Sequence, residues 1–166
     1  MSVQIVDGLK EAILLERRGR AFYKQVAAGT QNTIVREFFE TMADEEHRHM
    51  LVLEDQFRNY HQNQRLADFD SRANVEKPLA DFVLTDLLKA QITAASFEAA
   101  AISAAMLMEE QTITLYADRA RLSTDPNEKE LFRWLANWEH GHLTFLVGLE
   151  RDIREQVWND RQFWPF

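Results

Sequence analysis

The sequence predicts an all-α protein, a four-helix bundle built from two similar helical hairpins joined by a long crossover. Three observations predict it. Apolar residues recur at helical spacing over four long stretches, and only five Gly and three Pro punctuate 166 residues. Residues 12–58, shifted by 93 positions, meet their own kind without a gap. Glu and His interrupt the apolar stripes at matching places in both halves.

The repeat carries the most information. Ala12 meets Ala105, Leu14 meets Leu107, Glu16 meets Glu109, and Tyr23 meets Tyr116. Further on, Phe39 meets Phe132, Ala43 meets Ala136, Glu46 meets Glu139, His47 meets His140 and His49 meets His142. The repeat halves span about 3–61 and 96–154, and the chain 1–166 is expected to be one domain with one core.

The first helix is expected from Ile5, Leu9, Ala12, Ile13, Tyr23, Val26 and Ala27, with Gly29 ending it. The second stripe runs through Ile34, Val35, Phe38, Phe39, Met42, Val52, Leu53, Phe57 and Tyr60, and Asn32 is a good N-cap for it. Residues 62–93 form the crossover between the second and third helices, with Pro78, a polar run over 63–77 and a short helix expected near 79–88. Its length lets those two helices run parallel. The third helix is carried by Ile102, Ala105, Met106, Ile113, Tyr116 and Ala120. Before the fourth, Asp125-Pro126-Asn127-Glu128 supplies an N-cap, a proline at the first helical position and an acid at the third. Leu131, Phe132, Leu135, Phe145, Leu146, Leu149 and Ile153 complete the fourth stripe.

A net charge of -8 leaves no basic stripe for nucleic acid or an anionic membrane, so neither is an expected partner. The absence of cysteine excludes disulfides, Fe–S clusters, thiolate zinc sites and thiol nucleophiles. The first residues lack the basic-then-apolar layout of a signal peptide, and no window holds 18 uncharged apolar residues. A cytoplasmic location is the expectation.

Glu16 and Glu109 each fall inside an apolar stripe, and Glu46/His49 and Glu139/His142 interrupt the other two. All six therefore point to where the helices meet. Burying one unpaired carboxylate costs several kcal/mol, and four together repel one another. Two divalent cations would neutralise them. A Glu-x-x-His pair puts both side chains on one helix face, one turn apart, within reach of one ion. One Glu from each of two helices plus Glu-x-x-His from each of the others is the donor set of di-metal carboxylate bundles. The expected metal ligands, and the groups through which catalysis would run, are Glu16, Glu46, His49, Glu109, Glu139 and His142. Their mixed N/O character suits iron, with manganese or zinc as substitutes.

Around these six, Tyr23 and Tyr116 are candidates to bond a ligand carboxylate or simply to pack in the core. His47 and His140 lie about 200° around the helix from the ligand histidines and are expected to be solvated. Glu45 and Glu110 are turned about 100° from the ligands and stay outside the set. Trp134 and Trp138 are expected in the core or an interface, and the aromatic end Trp158…Phe163-Trp164-Pro165-Phe166 is expected to dock on the bundle or a partner subunit.

The segments Ala43-Asp44-Glu45-Glu46-His47-Arg48-His49, Glu16…Tyr23, Glu109…Tyr116 and Trp138-Glu139-His140-Gly141-His142 resemble the rubrerythrin branch of the ferritin-like superfamily. The resemblance implies a ferritin-like bundle whose di-iron centre reduces hydrogen peroxide or reacts with dioxygen, and it implies a homodimer. The chain departs from the typical pattern twice. Without cysteine it has no rubredoxin-like module, so electrons would come from a separate donor protein. Thr112 stands where typical members carry a further Glu ligand. The six-residue set is also similar to that of bacterioferritin, which implies a ferroxidase or iron-handling role as the alternative.

Overall fold

The computed structural model describes residues 2–72, 86–93 and 96–159. Pro78, residues 73–77 of the crossover's polar run and Phe163 to Phe166 lie outside the described residues. Among the described residues five helices follow one another: α1 (Ser2–Gly29), α2 (Thr33–Asn63), α3 (Asp86–Gln91), α4 (Phe97–Leu122) and α5 (Pro126–Asn159). Among the described residues there is no strand, and no helix is long and apolar enough to cross a membrane.

The ends of the long helices follow the chemistry of the sequence. α1 stops at Gly29, and Asn32 Oδ1 accepts from Ile34 N at 2.9 Å and Val35 N at 3.2 Å to open α2. Asp125 does the same for α5, accepting from Asn127 N at 2.8 Å and Glu128 N at 3.0 Å. α2 ends on Gln64 in the left-handed conformation (φ 55°), its N–H bonded to Tyr60 O. Ser96 caps α4 by accepting from Ala99 N at 3.1 Å.

α1 packs along α2 and α4 along α5, so the molecule is two hairpins laid together. The described ends of the crossover lie near opposite ends of α5. After α2, Phe69 N donates to Asn127 and Ser71 to Glu130, at the start of α5. Near its end, Lys89 pairs with Asp152 at 2.7 Å, close to the end of α5. α4 then begins beside the start of α2, where Thr30 bonds Glu98 at 2.6 Å. α2 and α4 therefore run parallel, as a bundle with a crossover requires. Among the described residues a short helix spans Asp86–Gln91, and Leu88 and Ile92 reach the core; residues 79–85 of the range expected from sequence lie outside the described residues.

The core has two apolar parts. One holds Tyr23, Val35, Phe38, Phe39, Met42, Ile102 and Leu146, among others. The second is built around Leu9, Leu53, Tyr116, Leu131, Phe132 and Leu135. Each fully buried large side chain contributes about 1.5–3 kcal/mol relative to exposure. Between the two parts in sequence, on all four long helices, stand the buried carboxylates and imidazoles.

Candidate metal centre

All six sequence-predicted residues are buried and converge: Glu16 from α1, Glu46 and His49 from α2, Glu109 from α4, and Glu139 and His142 from α5. Glu139 is fully buried and lies between the two histidines. Its Oε1 is 2.9 Å from His49 Nδ1, and its Oε2 is 2.9 Å from His142 Nδ1. Glu16 Oε2 approaches His49 Nδ1 at 3.2 Å, and Glu46 Oε1 approaches His142 Nδ1 at 3.4 Å. The imidazole rings lie 25° from parallel with centroids 5.8 Å apart.

Two overlapping four-residue groups have ligand atoms close enough to share an ion: Glu16, Glu46, His49 and Glu139, and Glu46, Glu109, Glu139 and His142. Glu46 and Glu139 belong to both. Several of the atoms aimed inward have no aligned hydrogen bond from the protein: Glu46 Oε1, both oxygens of Glu139, and His142 Nδ1. They lie 2.9–3.4 Å from neighbouring polar atoms of the cluster. Buried groups of this kind ordinarily have partners. Oxygen and nitrogen donors that converge without bonding one another fit a pair of cations.

In the metal-free chain, protons take the cations' place. Burial lowers the proton affinity of His49, but Glu139 and Glu16 outweigh it and push its pKa up to about 9. His142 is raised well above the usual value for the same reason: Glu139 overcomes the effect of burial. Burial, then the charges of Glu139 and Glu16, raise Glu46 well above the carboxylate range. Burial and Glu139 raise Glu109 to about 7. Glu139 goes the other way: burial opposes its charge, but the two flanking histidines hold it far below the usual range.

The tyrosines bond across the halves. Tyr23 donates to Glu109 Oε1, and Tyr116 donates to Glu16 Oε1. Burial first, and the adjacent carboxylates second, push both phenols well above their usual range, so each keeps its proton for the bond. Gly19 adjoins Glu46: a Cβ there would stand 2.8 Å from Glu46 Oε2. Thr112 is buried and bonds Met108 O of its own helix at 3.0 Å.

Of the residues set aside in sequence, Glu110 is exposed, His140 is exposed as expected, and His47 is half-buried rather than solvated. Glu45 is in neither four-residue group, yet it is not turned to solvent. It is buried, His142 Nε2 lies 2.6 Å from its Oε2, and Trp138 Nε1 donates to the same oxygen at 3.2 Å. A rotation of about 100° takes a residue off the centre of a helix face, but the side chains of Trp138 and His142 reach across from α5 to that flank. The signal in the sequence was the exchange of Glu45 for Trp138 under the 93-residue shift, an acid against an indole immediately before the two matching Glu-x-x-His motifs. Trp134 and Trp138 flank His49 edge-on, each with its ring centroid 5.5 Å from the imidazole.

The rubrerythrin family model matches residues 7–150 of the chain, which include all six residues. No curated protein and no solved structure matches it.

Proposed function

Because the chain belongs to the rubrerythrin family, we propose that it is a di-iron carboxylate oxidoreductase that reduces hydrogen peroxide to water with electrons from a separate donor protein. The observation that carries the proposal is the buried pair of overlapping donor groups, with Glu46 and Glu139 common to both. Glu16, Glu46, His49 and Glu139 would hold one ion, and Glu46, Glu109, Glu139 and His142 the other. Bound iron would supply the two electrons that, with two protons, convert one peroxide to two waters. Manganese or zinc could occupy the same donors.

The protein's own part is to place and shield. Glu46 and Glu139 keep the two positions adjacent. Tyr23 and Tyr116 hold one oxygen of Glu109 and of Glu16 by hydrogen bonds, which fixes each carboxylate's rotation and leaves its second oxygen for an ion. The apolar residues on both sides keep bulk water from the donors. One domain over 1–166 and a homodimer belong to the same proposal, the latter supported by exposed Leu107 and Trp158.

Thr112 favours a second reading, a ferroxidase or iron-handling role, because its hydroxyl is turned into its own helix and adds no carboxylate to the six donors. An oxidase acting on an organic substrate has less support. A 580 Å³ cleft is lined by Ile5, Leu115, Arg119 and Leu122, and a 370 Å³ cleft by Ser96, Ser103, Arg154 and Val157. Neither reaches the donors.

The test is stopped-flow oxidation of protein loaded anaerobically with two Fe(II) per chain, by peroxide and by dioxygen in parallel. Faster oxidation by peroxide supports the peroxidase. Equal or faster oxidation by dioxygen supports the ferroxidase, and failure to load iron overturns both.

A further inference from the structure

The shift that relates the two halves exchanges Glu45 with Trp138. Both stand immediately before a Glu-x-x-His motif, yet one is an acid and the other an indole. In the fold they meet, the indole N–H donating to the carboxylate at 3.2 Å. Their effects on the two histidines differ. His142 Nε2 lies 2.6 Å from Glu45 Oε2, and Glu45 is only 2% exposed. His49 Nε2 is buried and has no hydrogen-bond partner among the described residues. Tryptophan rings stand beside it instead.

Both imidazoles turn Nδ1 toward the shared carboxylates. A carboxylate accepting from the far nitrogen keeps the proton there, leaves the near lone pair for a metal, fixes the ring's orientation and makes it a better donor. His142 has that support and His49 has none. Charge acts in the same direction. Four glutamates balance two divalent cations, and Glu45 is a fifth carboxylate on the His142 side alone.

On the metal-centre reading above, we propose that Glu45 is a positioning residue that makes the two metal positions unequal, so that the position containing His142 fills first and the one containing His49 fills last and exchanges faster.

The test is titration of the metal-free protein with Co(II), followed by calorimetry and by visible absorption of the bound ion. The wild type should show two steps, separated by about tenfold or more in affinity. His49→Ala should retain the tight step, and His142→Ala only the weak one. Glu45→Ala should weaken the tight step by about 10–100-fold and draw the two steps together. If that variant does not fold, Glu45→Gln carries the test, with a loss confined to the tight step. Equal steps in the wild type overturn the proposal but leave the metal centre standing, and so does a Glu45 variant with both steps unchanged. No Co(II) uptake by the wild type refutes the centre itself.

Discussion

The hydroxyl of Tyr23 on α1 donates to Glu109 on α4, a carboxylate of the opposite half, and Tyr116 returns the same bond to Glu16. Seven residues along one helix is about 10 Å, so neither tyrosine can reach the glutamate of its own helix. The two bonds therefore tie α1 to α4. Tyr23→Phe leaves a buried carboxylate oxygen without its donor, a cost of about 1–3 kcal/mol, or a Tm lower by roughly 3–10 °C in metal-free protein. Calorimetric melting of Tyr23→Phe and Tyr116→Phe checks this, and an unchanged Tm in both would mean the bonds contribute nothing.

Shared and private donors should separate in metal content. Glu46 and Glu139 belong to both four-residue groups, whereas Glu16 and Glu109 each belong to one. Glu139→Gln, or Glu46→Ala with Glu139→Ala, is expected to bring bound metal from two ions per chain to none. Glu16→Gln should leave one. Metal analysis after dialysis distinguishes these outcomes, and two ions retained in Glu139→Gln would exclude Glu139 as a ligand.

Metal-free protein should lose stability as pH rises from 6 to 9. His49, pushed up to about 9 from its usual 6.5, keeps a proton in the folded state that the unfolded chain releases. That contribution is complete below pH 6.5 and disappears as pH passes 9. Glu109, raised to about 7, adds to the fall on the acid side of this window. Cations compete for the same atoms, so their affinity rises with pH. The Tm gap between metal-loaded and metal-free protein should therefore widen from pH 6 to pH 9. A constant gap would show that binding displaces no protons.

Gly19 occupies mid-helix, where alanine would ordinarily be better by about 1 kcal/mol. The place for a Cβ is 2.8 Å from the Glu46 carboxylate, which would have to move. Gly19→Ala should hold or raise the metal-free Tm while weakening metal binding by about tenfold, within the range seen when a ligand's support is disturbed. Titration and melting on one sample check both parts, and unchanged affinity would sink the argument.

Asn32 and Asp125 each satisfy two N–H groups at a helix start. Replacing either with Ala should cost about 1 kcal/mol and lower Tm by roughly 2–4 °C, with no change in metal stoichiometry. Melting curves and metal analysis together check it.

Those two caps were legible because capping is local chemistry, decided by a few adjacent residues. The six inward residues were legible because a charged group inside an apolar stripe contradicts the helix's own pattern. Their convergence into overlapping groups is a property of the packing between hairpins, and periodicity along one helix does not carry it. The burial of Glu45 was not legible for that reason: it depends on side chains of α5 that reach across to α2, and its partner His142 is 97 residues away. Leu66 and Phe69 are similar. They sit in a stretch without helical rhythm, yet Leu66 is buried and Phe69 packs on Trp134, because the returning chain covers the start of α5.

Each four-residue group borrows one member from the other half: Glu139 completes the set around His49, and Glu46 the set around His142. A half-length chain would hold no complete set, and two identical copies would have to pair to make one. In such a pair every substitution appears twice, and the residue before each Glu-x-x-His motif is the same on both sides. Continuity of the chain removes that constraint. An acid can stand on one side and an indole on the other, so a lineage that joined the two halves could diversify one position at a time where a symmetric ancestor had to change both together.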